Sequence, residues 1–420
     1  MNNLPCLNEQ NVINEISRYN DAEFTLIRLT TTMLNKSIID ANYFLRSLLK
    51  NADILDYDKI KNGEKLYAPT AFFDTKGEGH ILETSCYLVN ANKGKSGRID
   101  KRFWPNGIKS FMRIDEINIG DLILFTTGKI DNENHIVIIN VTKNVSSTLA
   151  FSKIFVKNDF NEAWFRLKKM IISISNRGYI PNVKGAGKQD PKDVGETMEA
   201  QINMLPNNEK KADFEDKIEL KAKSGFNTKD TLFTLRPNFE GTPIADIEPN
   251  DKKRVTAFQR EYGYLTERYP NHKSLFITIG NKKAPQNGQG FFLEVNENEQ
   301  RVELKHLSGS KITITAHWSF DSLRKILKEK HPATVWLTAD VRIVNEVVEF
   351  HYNKAELTKS PQFQTFIDLI RAGGIVYDWR GRTALKSDLK SVNKGNAWRM
   401  NPKFRATLFN ELEEIDFQKN

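Results

Sequence analysis

At 420 residues, with 39% hydrophobic and 27% charged residues, the chain is too long for one ordinary core and suits two or three domains. No apolar run approaches the roughly 18 residues needed to span a bilayer, and its two cysteines, Cys6 and Cys86, supply neither a disulfide framework nor a zinc site. A formal charge of +9 favours an anionic partner. The opening MNNLPCLNEQ lacks the basic start and apolar stretch of a signal peptide, so a reducing cytoplasm is the expected location.

In chain order, hydrophobic spacing predicts short amphipathic helices over 8–19 and 38–49, separated by a β-branched run at 24–32. Strands are expected at 80–90, 97–104 and 120–127, and a strand over 135–142 follows the turn-rich DNEN and closes a hairpin with 122–125. Together these predict a smaller, mostly-β N-terminal domain over residues 1–150. The stretch 93–109 carries six basic residues around Phe103 and Trp104. Arg102 is its candidate DNA contact, able to reach a base edge, against the alternative of a solvated loop whose two rings are core.

A helix over 156–175 presents Phe160, Trp164, Phe165, Leu167, Ile171 and Ile172 to a core. A Gly/Pro/Lys loop at 178–192 follows, and its GAGK is not a phosphate-binding loop, because Lys188 precedes Gln189. The stretch 193–223 then opens like a helix, with Asp193 and Glu196 spaced as a capping box and Met198, Ile202 and Leu205 on one side. Residues 206–211 break the period. From Lys217 the pattern alternates, with Ile218, Leu220 and Ala222 on one face and Glu219, Lys221 and Lys223 on the other.

That charged strand face has the parts phosphodiester hydrolysis needs. Asp213 and Glu219 supply hard oxygens for a divalent cation, Glu199 on the preceding helix a further carboxylate, and Lys221 an ammonium able to orient water or meet a phosphate oxygen. Glu-x-Lys alone has little weight, since it recurs at Glu209/Lys211, Glu215/Lys217 and Glu303/Lys305. The preceding Asp213, the alternation and the helix carrying Glu199 set Glu219/Lys221 apart. A solvated strand face is the competing reading.

The segments GETMEAQINM and NNEKKADFEDKIELKAK resemble the core of the MvaI/BcnI restriction endonucleases and, more distantly, the mismatch-repair nicking enzyme MutH. The resemblance runs from about residue 161 onward and implies a PD-(D/E)XK fold, bound Mg²⁺ and DNA cleavage. It assigns Asp213, Glu219 and Lys221 to the family's Asp, Glu and Lys, and Glu199 to the acid of its preceding helix. The sequences RFWPNGIKSF and EINIGDLILF resemble an N-terminal module of some longer proteins of this type, making residues 1–150 a candidate DNA-binding or effector module.

Downstream, alternation predicts strands at 231–236, 274–280, 290–296, 301–307, 311–317, 333–341 and 347–355, with helices at 251–264 and 320–329. The predicted architecture for 151–420 is an α/β nuclease core, a central mixed sheet flanked by helices. Between 380 and 405 lie eight basic residues, Arg380, Arg382, Lys386, Lys390, Lys394, Arg399, Lys403 and Arg405, against the single acid Asp388. Beside Trp379 and Trp398 they read as a loop laid along DNA, with Arg380, Arg382, Lys394, Arg399 and Lys403 the contacts and Arg399 the base reader. The resembling family has His-Gly-Thr and then Arg in this region. Here Lys394 stands for the His while Gly395 and Arg399 remain. The histidines show no metal-ligand spacing.

The sequence thus predicts a Mg²⁺-dependent type II restriction endonuclease acting on double-stranded DNA, monomeric, and accompanied by a cognate DNA methyltransferase. A structure-selective or MutH-like nicking nuclease would instead act on nicked, mismatched or branched DNA. A non-catalytic DNA-binding protein would give no metal-dependent product.

Overall fold

The computed structural model describes residues 3–17, 22–90, 99–143, 161–187, 190–203, 212–225, 228–385, 392–393, 395–415 and 417. Lys93, Phe160, Lys188, Gln189, Leu205, Glu209, Lys211, Lys386, Asp388, Lys390 and Lys394 of the sequence analysis lie outside the described residues. The chain divides into two compact units. One is Met1–Glu162 with Gln362–Thr365 and Phe409–Leu412, the other Ala163–Pro361 with Phe366–Leu408 and Glu413–Asn420.

The first unit runs α1 (Leu7–Ser17), β1 (Thr25–Arg28), α2 (Thr31–Lys36), β2 (Ile39–Asp40), α3 (Tyr43–Asn51), β3 (Lys65–Phe73), β4 (Gly79–Asn90), β5 (Ile99–Pro105), β6 (Leu122–Ile130) and β7 (Glu133–Asn140). The strands form one seven-stranded sheet in the order β1-β6-β7-β3-β4-β5-β2, antiparallel except for β3 beside β7. Its central strands are apolar on both faces because both faces are covered. Ile123, Phe125, Ile136 and Ile138 join Leu45, Leu48 and Leu49 in one cluster, while Leu122, Leu124, Val137 and Ile139 join Val12, Ile13 and Ile16 in the other.

The expected hairpin pairs Ile130 with Glu133, and Asp131 and Asn132 turn it with φ of 50° and 66°. Positive φ at both central residues is the hairpin turn that matches strand twist. The helix expected from 38 begins later, at Tyr43, because Ile39 and Asp40 pair with β5 and the Asn42 side chain accepts the Leu45 N–H at 2.9 Å. Phe103 and Trp104 are buried. On the free edge of β1, Gln364 accepts from Leu26 N at 2.8 Å and donates to Leu26 O at 2.7 Å, occupying backbone groups that an edge strand otherwise leaves open.

The second unit and its flanks run α4 (Asn161–Asn176), β8 (Ile180–Ala186), α5 (Asp193–Gln201), β9 (Glu219–Ser224), β10 (Asp230–Thr234), α6 (Pro243–Ile247), α7 (Arg254–Tyr262), β11 (Tyr264–Thr266), β12 (Tyr269–Ile279), β13 (Phe291–Asn296), β14 (Arg301–Ser308), β15 (Lys311–Ser319), α8 (Phe320–Lys330), β16 (Ala333–Val344), β17 (Val347–Pro361), α9 (Phe363–Ala372), β18 (Ile375–Ala384), β19 (Val392–Asn393) and β20 (Ala397–Met400). The expected mixed sheet is present: β9 lies parallel to β16, β16 antiparallel to β17, and β8 antiparallel to β17. The second sheet, β10-β20-β18-β12-β11, and the three-stranded β13-β14-β15 complete the unit.

Two local readings are corrected. The supposed loop at 178–192 contains β8, because β17 supplies a partner for its backbone. Asp193 makes no capping box: its carboxylate is buried and takes Asn182 Nδ2 and Asp190 N at 3.0 Å each, together with Lys184. Glu196 pairs with Lys184 at 2.9 Å and Lys192 at 2.6 Å. The two acids tie α5 to β8 instead of capping a helix end.

Candidate active site

Asp213 and Glu219 are brought together by a tight turn. Glu215 and Asp216 both adopt positive φ, 51° and 57°, and Lys217 N bonds Phe214 O at 2.9 Å while Phe214 N bonds Ile218 O at 2.8 Å. The chain doubles back on itself, so Asp213 Oδ2 accepts the Leu220 N–H at 3.0 Å. The six-residue spacing in the sequence is the length of that reversal.

Glu219 opens β9, fully buried opposite Thr334 of β16. Burial pushes its carboxyl up to about 7, against the pull of the Lys221 ammonium and with Asp213 adding to the rise. Lys221 Nζ donates to Oε1. Oε2 lies 3.1 Å from Lys330 Nζ, which is also 3.6 Å from Asp213 Oδ1, yet among the described residues no hydrogen-bond donor is aligned on it. Glu199, half-buried on α5, is raised by burial and then by the charge of Asp213. The four predicted residues thus share one electrostatic neighbourhood, and Lys330 joins them.

The basic segment is not a loop over its described part. Alternation along β18 sends Tyr377, Trp379 and Gly381 to the face covered by α7 and leaves Asp378, Arg380 and Arg382 on the other. Trp379 stacks on Phe258 with ring centroids 4.1 Å apart, and Trp398 is fully buried, so both tryptophans are core and not groove-facing. Arg399 stands opposite Val376 and shares the open face, as does Phe276 opposite Arg380. Asp378 is buried and accepts Thr278 Oγ1 at 2.7 Å; its Oδ2 takes Arg380 at 2.8 Å and lies 3.1 Å from Arg399 Nε. The Arg382 guanidinium rests 3.9 Å from the Tyr269 ring centre.

Lys403 is exposed beside Phe404. Arg405 is held in the interior by Asp230 at 2.7 and 2.8 Å and by Glu356, over Trp336, and does not belong to the charged face. In the first unit Arg102 is paired with Asp40 and Asp100.

The model of the MvaI/BcnI restriction endonuclease family matches residues 168–409, more than half of the chain. The chain belongs to the MvaI/BcnI restriction endonuclease family. It is accordingly a sequence-specific type II endonuclease, a site-specific DNA hydrolase. A structure of the restriction endonuclease MvaI in complex with its cognate DNA substrate is similar at 25% identity and a TM-score of 0.51, covering 61% of this chain and 100% of that one. MvaI in the absence of DNA aligns at 22% identity and a TM-score of 0.38, over 62% of this chain and 100% of that one. No curated protein matches.

Restriction endonucleases of this kind generally use a divalent metal, and the donors here fit one: carboxylate oxygens, including the buried Glu219 Oε2, which has no aligned donor among the described residues. A denser group lies elsewhere in this MvaI/BcnI-type chain. The ligand atoms of Asp74, Glu78 and His80 fall within 4.8 Å of one another. There Asp74 Oδ1 accepts the Lys76 and Glu78 N–H groups at 2.9 Å each and Oδ2 meets His80 Nε2 at 2.8 Å, which holds the β3–β4 turn. Sequence reasoning missed Lys330, since it ends a helix far along the chain; the one local signal is the His331 that follows it.

Proposed function

We propose that the chain cleaves double-stranded DNA in a Mg²⁺-dependent reaction at the site built on Asp213, Glu219, Lys221 and Glu199. The observation that carries this reading is the turn at Glu215 and Asp216, which sets Asp213 against β9 where the buried Glu219 meets the Lys221 ammonium. Asp213 and Glu219, with Glu199 behind them, would hold the cation, which supplies charge neutralisation at the phosphate and a more acidic water. Lys221 orients the attacking water and stabilises charge on the phosphate oxygens. Water adds to phosphorus as the P–O3′ bond breaks, leaving a 3′-hydroxyl and a 5′-phosphate.

Arg380, Arg382 and Arg399 are proposed to meet the DNA from the open face of β18 and β20, with Lys403 beside them. Support comes from their common face and from Asp378 and Tyr269, which hold the guanidiniums in place. The MvaI structure similar to this chain was determined with its cognate DNA. Lys394, Arg102 and the N-terminal module over residues 1–150 remain part of the reading as further DNA contacts. So does a cytoplasmic monomer working beside a methyltransferase of the same specificity, since a sequence-specific cutter requires protection of its host's own sites.

Cleavage of unmethylated phage DNA by wild-type protein and Lys221→Ala, with and without Mg²⁺, tests the reading. Discrete Mg²⁺-dependent bands lost in the variant are expected. Equal cleavage by both proteins, or none by either across divalent ions and salt, would overturn it.

A further inference from the structure

We propose that Lys330 is a positioning residue of this site: its ammonium clamps Asp213 to Glu219 and competes with the divalent cation for Glu219 Oε2. The proposal rests on the metal-dependent reading above. Lys330 Nζ lies 3.1 Å from Glu219 Oε2 and 3.6 Å from Asp213 Oδ1, and only 16% of its side chain is exposed. Each acid has its other oxygen engaged, Glu219 Oε1 by Lys221 and Asp213 Oδ2 by Leu220 N. The oxygens facing Lys330 are therefore the ones left for a cation.

The backbone carrying Lys330 is fixed to the strand beside the acids. His331, the next residue, is fully buried with Nδ1 2.7 Å from Thr334 Oγ1 and Nε2 2.8 Å from Leu232 O. Thr334 is the register partner of Glu219 on β16. With its Cα anchored, Lys330 delivers one ammonium to the two carboxylates on a flexible four-carbon stem. The two ammoniums offset part of the charge that Glu219 and Asp213 bring together here. A divalent ion on the same oxygens is repelled by an ammonium about 3 Å from them, so it must displace Lys330. The lysine thus lowers affinity for the free cation while keeping the acids together.

The test is calorimetric titration of Ca²⁺ into the full-length protein, as wild type, Lys330→Met, Lys330→Arg and Asp213→Asn, with thermal unfolding in EDTA and in Ca²⁺. Lys330→Met is expected to bind Ca²⁺ roughly tenfold more tightly than wild type, to melt at lower temperature in EDTA, and to gain more from Ca²⁺. Lys330→Arg keeps the charge and should stay near wild type in EDTA. Should Lys330→Met fail to fold, Lys330→Gln is expected to show the same tightening at smaller size. Unchanged or weaker Ca²⁺ binding in the neutral variant, with wild-type binding intact and lost in Asp213→Asn, overturns the role of Lys330 alone. Wild-type protein that shows no Asp213-dependent binding overturns it together with the metal reading. A melting-temperature loss equal in EDTA and Ca²⁺, without tighter binding, marks a merely structural lysine and also overturns it.

Discussion

Asp213 accepts the Leu220 N–H through Oδ2 at 3.0 Å, so one carboxylate oxygen fixes the hairpin while the other faces the site. Asp213→Asn keeps an acceptor for that N–H, so cleavage should be lost with a smaller change in stability than in Asp213→Ala. Asp213→Ala leaves the N–H without its partner and should cost about 1 kcal/mol as well. Urea unfolding beside a nicking assay separates the two effects.

Glu219 carries a pH signature. Its carboxyl is raised from 4.5 to about 7 in the folded chain, so between those values the native state holds the proton and the unfolded state does not. Its contribution to stability is then fully present below about 4.5 and is lost as pH rises through 7. Glu219→Gln, measured by denaturant unfolding in EDTA, should be nearly neutral at pH 5 and stabilising on the order of 1–3 kcal/mol at pH 8.

The arginines of the basic segment should divide by burial. Arg380→Ala and Arg399→Ala are each expected to weaken DNA binding about tenfold in Ca²⁺ with little change in melting, and to lower the salt slope by about one. Arg405→Ala removes the cation that Asp230 and Glu356 share, leaving them Lys223 and Lys354, and should cost at most about 3 kcal/mol of stability, with an unchanged salt slope. Binding by fluorescence anisotropy across a salt series distinguishes them.

Gly381 marks the close approach of β18 and α7. A Cβ there would stand 2.1 Å from Gln259 Nε2, in a side chain that is buried and accepts Thr383 Oγ1 at 3.0 Å. Gly381→Ala should therefore destabilise by about 1–3 kcal/mol and be partly rescued by Gln259→Ala, read as thermal midpoints.

The sequence by itself determined the alternation of β9, the starts of β16 and β17, and the likeness of 193–223 to a nuclease core, but not β8, whose backbone needs β17 as a partner before it reads as a strand. These are local properties, because side-chain period and turn chemistry act over a few neighbouring residues. Charge density marked 380–405 as basic, but density carries no direction. That Trp379 and Trp398 turn inward, that Arg405 is spent on Asp230, and that Asp378 holds Arg380 and Arg399 became visible only with β12, β18 and β20 in register. Lys330 reaches Glu219 for the same reason: the parallel pairing of β9 with β16 carries the end of α8 to the acids. Which charges neutralise one another is a property of distance, and distance between remote segments is decided by the fold.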